Sequence, residues 1–360
     1  MTRALEDGWA NPSSPHEAGQ SVARSIEAAR RHVALLADAS LERVIFTSGA
    51  TEANEAVLRH HAGLGFDLVT SEAEHPALTG FFARHAPERL RSVPLGEHGR
   101  WDLEQLEVIL QHLSPHALIA FSWANGETGV LQDAYQIVEV ATAHGASCLI
   151  DATQAIGRIE IQGGPLQRAY MTFSAHKLHG PKGIGVLTLP ANGGSVCLAV
   201  GGGQEGGRRG GTENVPGILG MGAACYVRGH SLGPHIHHLA SLRDQFERQI
   251  TDMLDGVRIN GLGAPRVPNT SNMTFRGVDG MALVARLEER GILCSQVSAC
   301  SSGLPEPSKT LLAMGLSSDD AFASVRFSVS VDNTSHEIDA ATRSIVDEVC
   351  FIRDMMGGLA

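Results

Sequence analysis

No apolar run in the 360 residues approaches the roughly 20 that a membrane-spanning helix needs, and residues 1–20 carry no apolar core of the signal-peptide kind. A cytoplasmic protein with no membrane partner is the expectation. Cysteine is scarce and scattered: Cys148, Cys197, Cys225, Cys294, Cys300 and Cys350 form no CxxC pair and stand beside no histidine spacing suited to zinc. That pattern suggests neither a disulfide framework nor a structural metal. In a reducing compartment most of these thiols should be small buried groups, with one free to act as a nucleophile. Basic charge is also short. The net charge of −11, with the 17 histidines neutral, argues against nucleic acid or an anionic membrane surface and leaves small molecules and proteins as partners. Internal repeats and a low-complexity tail are absent as well.

What is present is an ordinary globular composition, 43% hydrophobic and 19% charged, in a chain long enough for one large and one smaller domain. Asn11-Pro12-Ser13-Ser14-Pro15 reads as a turn and cap before an amphipathic helix over 17–36. Strand-like and helix-like patterns then alternate. Strands at 44–47, 68–70 and 118–121 precede helices at 52–61, 76–84 and 135–143, and a strand at 148–150 runs into Asp151. Such alternation predicts an α/β fold with a largely parallel sheet between helices, with ligands bound at the carboxyl ends of the strands. Later come a helix near 240–254, a strand over 270–275 and a helix over 281–289. The expected division is a large domain over 1–230, with residues 1–16 free to associate with the small domain, and a smaller α+β domain over 231–360.

Several short segments carry chemistry. Ser48-Gly49-Ala50-Thr51-Glu52 lies between a strand and a helix, where small residues, backbone N–H groups and the Thr51 hydroxyl either bind a phosphate or simply cap the helix. Asp151 ends an apolar strand, with Gln154 three residues on; it is either a turn acid or the partner of a cationic ring nitrogen. In Ser174-Ala175-His176-Lys177, a lysine able to form an imine with an aldehyde follows a hydroxyl and an imidazole able to bond a phosphate. An exposed basic turn would explain the charge but not that order. Cys300 stands in the small, polar run Ser298-Ala299-Cys300-Ser301-Ser302-Gly303, which suggests an exposed thiol. Arg326, between Val325 and Phe327, suits either a bidentate carboxylate contact or a structural ion pair. Gly201 to Gly211 holds seven glycines in eleven positions, yet Gln204-Glu205 and Arg208-Arg209 inside it are unlike a plain spacer. His235, His237 and His238 read as a solvated patch, and Gly183-x-Gly185 as a turn entering a strand.

Together these segments resemble the cysteine desulfurases, a branch of the class V aminotransferase group with the fold-type I pyridoxal-phosphate architecture. The likeness also takes in His16, Ala53-Asn54, Glu74-His75, Asn125-Gly126-Glu127-Thr128-Gly129 and Gly210-Gly211-Thr212-Glu213-Asn214, so it spans nearly the whole chain in the family's order. It implies a seven-stranded, largely parallel sheet and a small domain carrying the cysteine loop. It further implies that Lys177 holds pyridoxal 5'-phosphate and His75 stacks on its ring, while Asp151 pairs with the ring nitrogen and Gln154 bonds the ring oxygen. Ala50, Thr51, Ser174 and His176 would bind the phosphate, joined by Thr212 from the other subunit of a homodimer with composite active sites. Asn125 counts among the cofactor contacts, and Arg326 would take the substrate carboxylate.

The implied reaction converts L-cysteine to L-alanine and leaves the sulfur on Cys300 as a persulfide for an iron–sulfur scaffold or a thiolation protein. Two departures stand out. The family usually opens with a strand bearing a Leu-Asp-x-x-Ala-Thr-Thr-Pro-like motif, where this chain has ten residues ahead of Asn11. Its usual Asn-Asn-Glu is here Asn125-Gly126-Glu127. Cofactor binding with weakened turnover is the expectation from these. A selenocysteine lyase or other class V enzyme, and a weakly active cofactor-binding scaffold, stay open as other readings.

Overall fold

The computed structural model describes residues 1–113, 116–296 and 306–357. Two compact units emerge, one of Met1–Val93, Leu103–Trp123 and Asp133–Leu232, the other of Pro94–Asp102, Ala124–Gln132 and Gly233–Ala360. Residues 1–16 thus lie in the first unit, where helix α1 (Thr2–Asp7) packs against α7 (Val215–His230). The short stretches 94–102 and 124–132, which the sequence pattern left with the large domain, belong to the second unit. Main-chain bonds draw one of them there: Leu131 N donates to Pro265 O and Val267 N to Gly129 O, each at 2.8 Å.

The first unit is built on seven strands: β1 (Val44–Thr47), β2 (Asp67–Thr70), β3 (Leu90–Ser92), β4 (Ala117–Ser122), β5 (Ser147–Asp151), β6 (Tyr170–Ser174) and β7 (Gly185–Thr188). Their order is β1-β7-β6-β5-β4-β2-β3, and only β7 runs antiparallel to its neighbours. Most of these strands are buried along their length, as a sheet covered on both faces requires, and that is why they read as continuous apolar runs. Helices α2 (Glu17–Leu36), α3 (Ala50–Gly63), α4 (Pro76–His85), α5 (Leu103–His112) and α6 (Ala134–Ala143) supply its other elements with α7. The cap of α2 is not in the Asn-Pro-Ser-Ser turn but on His16, whose Nδ1 accepts from Gly19 N at 3.1 Å. Leu58, Leu68, Leu78, Phe82, Leu118 and Leu149 form its core. Gly222 permits the close packing of α7 on α2, since a Cβ there would lie 2.5 Å from that of Ala29.

The second unit holds an antiparallel sheet, β10-β11-β9-β8, made of β8 (Val257–Ile259), β9 (Thr270–Phe275), β10 (Ser295–Gln296) and β11 (Ser324–Ser328). Helices α8 (Leu232–Met253), α9 (Gly280–Glu289) and α12 (Ser335–Gly357) bring Phe246, Ile250, Leu283 and Ile345 against Phe275 and Phe327 of that sheet. Two short helices, α10 (Lys309–Ala313) and α11 (Ser318–Phe322), complete the described part.

Candidate active site

Parallel strands deliver their carboxyl ends to one edge of a sheet, and there Asp151 and Ser174 meet the first turns of α3 through Asn54 and Ala50. Register pairs Asp151 of β5 with Thr172 of β6 on one side and Ser122 of β4 on the other. Asp151 is 8% exposed, and its partners are all neutral: Asn54 Nδ2 donates to Oδ2 at 2.8 Å and Thr153 N to Oδ1 at 2.9 Å. Asn54 is itself oriented by Thr172, whose hydroxyl donates to its amide oxygen at 2.6 Å. Among the described residues no cation pairs with this carboxylate. Beside it the Thr153 hydroxyl is buried without a hydrogen-bond partner among the described residues.

Lys177 follows β6 on a single tight turn, Ala175–Leu178, which ends at His179 in the left-handed conformation (φ 62°). That turn is tied to the one after β5 by Arg158. Its guanidinium donates to the carbonyls of Gln154 at 2.8 Å and Lys177 at 3.0 Å, with a longer contact to Thr153 O at 3.4 Å. Burial first, and then the nearby charge of Arg228, lower the Arg158 pKa to about 10. The Gln154 side-chain amide makes no hydrogen bond among the described residues.

The N-terminus of α3 completes this edge. Ala50 N donates to the Ser174 hydroxyl at 2.8 Å, and Thr51 stands exposed on the first turn. Glycine is required at 185, because a Cβ there would come within 2.5 Å of Gly49 Cα. The approach of β7 to this loop therefore rests on two bare backbones. His176 is exposed, and partial burial together with the charges of Lys177 and Lys182 holds its pKa below the usual histidine value. The N-terminal turn of α3, two hydroxyls and this positive surround suit a phosphate. With the uncompensated Asp151, the donor set fits pyridoxal phosphate. His75, exposed at the start of α4, caps that helix through Nδ1. Glu74 accepts from Ser122 N at 2.9 Å and so ties the two strand ends together.

Asn125 and Arg326 lie in the second unit. The Asn125 amide oxygen accepts from Glu127 N at 2.9 Å and Thr128 N at 3.0 Å, closing the 125–129 loop on itself. Arg326 donates to Gly126 O at 2.9 Å and to Ser295 Oγ at 3.2 Å, and no carboxylate pairs with it among the described residues. Its cross-strand neighbour Asn272 reaches the next carbonyl, Glu127 O, at 3.3 Å. Burial raises the pKa of Glu127, whose carboxyl bonds the hydroxyls of Ser308 and Thr310. Thr212 is exposed in the first unit. Cys300 lies outside the described residues.

Of the other cysteines, Cys148 and Cys225 are buried, Cys294 is half-buried, and Cys197 and Cys350 are exposed. The expectation of mostly buried thiols holds for only part of the set. A cleft of about 730 Å³ opens elsewhere in the first unit, lined by Pro12, Arg30, Gly203 and Glu205 among others, and touches none of Asp151, Ser174 and Lys177. Sequence reasoning missed Asn54 as the orienter of Asp151, and missed Arg158 and Glu127. Asn54 could have been found, since it falls one helical turn after Ala50 on a buried face.

Fold and strand-edge site define a class V aminotransferase, and the family model for aminotransferase class V matches residues 1–341, so the chain belongs to that family. Its relatives include the cysteine desulfurases of Sinorhizobium fredii, 36% identical over 98% of this chain and 93% of the relative, and of Klebsiella pneumoniae, 37% identical over 94% and 85%. Among solved structures, a NifS-like protein from Rickettsia africae matches with a TM-score of 0.87 and 28% identity, covering 96% of this chain and 93% of that one. A second NifS-like protein matches with a TM-score of 0.88 and 28% identity over 98% and 94%. The fold class implied by the sequence motifs, fold-type I with a largely parallel seven-stranded sheet, is the one present.

Proposed function

We propose that this chain is a cysteine desulfurase that binds pyridoxal 5'-phosphate through Lys177, converts L-cysteine to L-alanine and receives the sulfur on Cys300. The observation that carries the reading is the buried Asp151 carboxylate, oriented by Asn54 and Thr153 but neutralised by no cation among the described residues. A charge so held matches a protonated pyridine nitrogen. Bound there, pyridoxal phosphate supplies an electron sink for the substrate's α-carbon. The names of the relatives support the same substrate.

In this reading Ala50, Thr51, Ser174 and His176 hold the phosphate, His75 stacks on the ring, Gln154 bonds the ring oxygen and Asn125 belongs to the same cofactor set. Thr212 reaches the phosphate of a second copy, which makes the protein a homodimer with composite active sites. Arg326 keeps N–H groups beyond those given to Gly126 and Ser295, and these take the substrate carboxylate. Lys177 accepts the proton from the substrate α-carbon. The Cys300 thiolate attacks the substrate sulfur; the carbon–sulfur bond breaks, its electron pair stays with carbon, and a proton completes alanine. The persulfide on Cys300 passes to an acceptor protein of iron–sulfur assembly or thiolation. We place the cofactor-binding domain at 1–230 apart from the stretches 94–102 and 124–132, the cysteine-bearing domain at 231–360, and the protein in the cytoplasm.

Purified protein supplied with cysteine and a thiol should release sulfide and alanine in equal amounts, and borohydride should fix the cofactor on Lys177. Label on Lys182, or none, removes the core of the reading. In Cys300→Ser, undiminished sulfide release without external thiol removes the role of Cys300.

A further inference from the structure

The glycine-rich segment of the first unit is pinned by a buried ion pair. Glu205 adopts a left-handed conformation (φ 50°, ψ 42°) and is followed by Gly206 and Gly207, also at positive φ. A glutamate has no intrinsic reason to sit there. Its side chain is 4% exposed and meets Arg30 of α2 in bidentate fashion, at 2.8 Å and 2.9 Å. Phe46 N of β1 donates to the same carboxylate at 3.0 Å, and Arg30 also donates to Val44 O at 2.8 Å. The guanidinium lies 4.8 Å from the centre of the Phe46 ring. Arg30 Nε also donates to the more exposed Glu27 at 2.9 Å, so helix, strand and loop converge on one cation and two carboxylates, of which Glu205 alone is buried.

Buried ion pairs add little net stability, and their best-attested use is to specify one arrangement among several. Seven glycines in eleven residues give the segment many arrangements to choose among. A second, more exposed pair, Arg209 to Glu52 at 3.1 Å, joins it to the first turn of α3. Thr212 follows directly, exposed and without a side-chain hydrogen bond among the described residues. We infer that Arg30 and Glu205 are positioning residues that fix the glycine-rich segment so that Thr212 is presented to the phosphate group held by a second copy of this chain. This rests on the proposed role of Thr212 and deepens it.

The test compares pyridoxal 5'-phosphate with pyridoxal, which lacks the phosphate, on the full-length protein stripped of cofactor and followed by absorbance. Thr212→Val and Arg30→Met should each weaken pyridoxal-phosphate binding about tenfold and leave pyridoxal binding unchanged. The double variant should bind no worse than either single one, because Arg30 acts through Thr212. Arg30→Lys should recover part of the loss. Should Arg30→Met fail to fold, Glu205→Gln, which keeps size and removes charge, stands in with the same expectation. An unaltered Thr212→Val removes the underlying role of Thr212, and the inference falls with it. A Thr212→Val defect without an Arg30 or Glu205 defect overturns the inference alone. So does an equal loss of both ligands in the Arg30 or Glu205 variants, which marks a merely structural pair.

Discussion

Asp151, in the first unit, and Glu247, in the second, are buried to nearly the same degree, at 8% and 6% exposure, yet they are treated in opposite ways. Glu247 meets Arg266 through two parallel bonds of 2.6 Å and 2.8 Å, so its charge is cancelled within the fold. Asp151 is held by an amide and a backbone N–H, which orient it but cancel nothing. Arg326 is a milder case: half-buried, it is fixed by a carbonyl and a hydroxyl, with the Glu127 carboxyl as its electrostatic neighbour. A fold that buries a charge without a counter-charge must recover the lost hydration elsewhere, and a ligand of opposite sign is the economical source. The contrast separates a charge cancelled within the scaffold from one left open to a ligand.

The comparison is broken most forcefully at Glu247. Glu247→Gln leaves the Arg266 guanidinium buried and unmatched, and should lower unfolding free energy by about 3–5 kcal/mol in urea titrations while desulfurase activity per folded molecule stays intact. Asp151→Asn should do the reverse. Its amide still accepts from Thr153 N but sets a donor against Asn54 Nδ2, a loss offset by removal of a buried, unpaired charge, so the midpoint in urea should move far less than in Glu247→Gln, while kcat/KM falls by about 10²–10³-fold through loss of the electrostatic partner. Destabilisation by Asp151→Asn as large as that by Glu247→Gln would erase the distinction.

His61 sharpens the same contrast through pH. It is 3% exposed, bonds Val57 O and packs edge-on against Phe66 and Tyr170. Burial drives its pKa from 6.5 down to about 4. The unfolded chain therefore binds a proton that the folded one refuses, and the stability this contributes is present above pH 6.5 and lost as pH falls towards 4. Between pH 7 and pH 4.5 the native protein should lose about 2–3 kcal/mol more than His61→Phe. An identical acid slope for the two proteins refutes the assignment. The smallest effect is expected at Ser174, which accepts from Ala50 N. Ser174→Ala should weaken cofactor retention by about 1 kcal/mol, read as a several-fold rise in Kd, with thermal stability nearly unchanged.

Much of this was legible in the residue order. The strand at 44–47 and the helix at 17–36 coincide with the observed elements, because apolar periodicity reports burial directly. The short strands β3, β8 and β10 were not legible; two or three residues carry no period, and partners distant in sequence make them strands. At the site, Asp151 and Ser174 were readable from their places at strand ends. Arg158 was not, since its work is done on three carbonyls that look alike in any sequence.

From residue types alone followed the α/β class and the family, since each depends on local pattern and order along the chain. Whether Asp151 would be paired or left uncompensated was a different matter. It depended on which of the chain's arginines and amides came within 3 Å of it, and those distances are set by strand register and helix packing between segments far apart in sequence: Asn54 reaches Asp151 across 97 residues and Arg30 reaches Glu205 across 175.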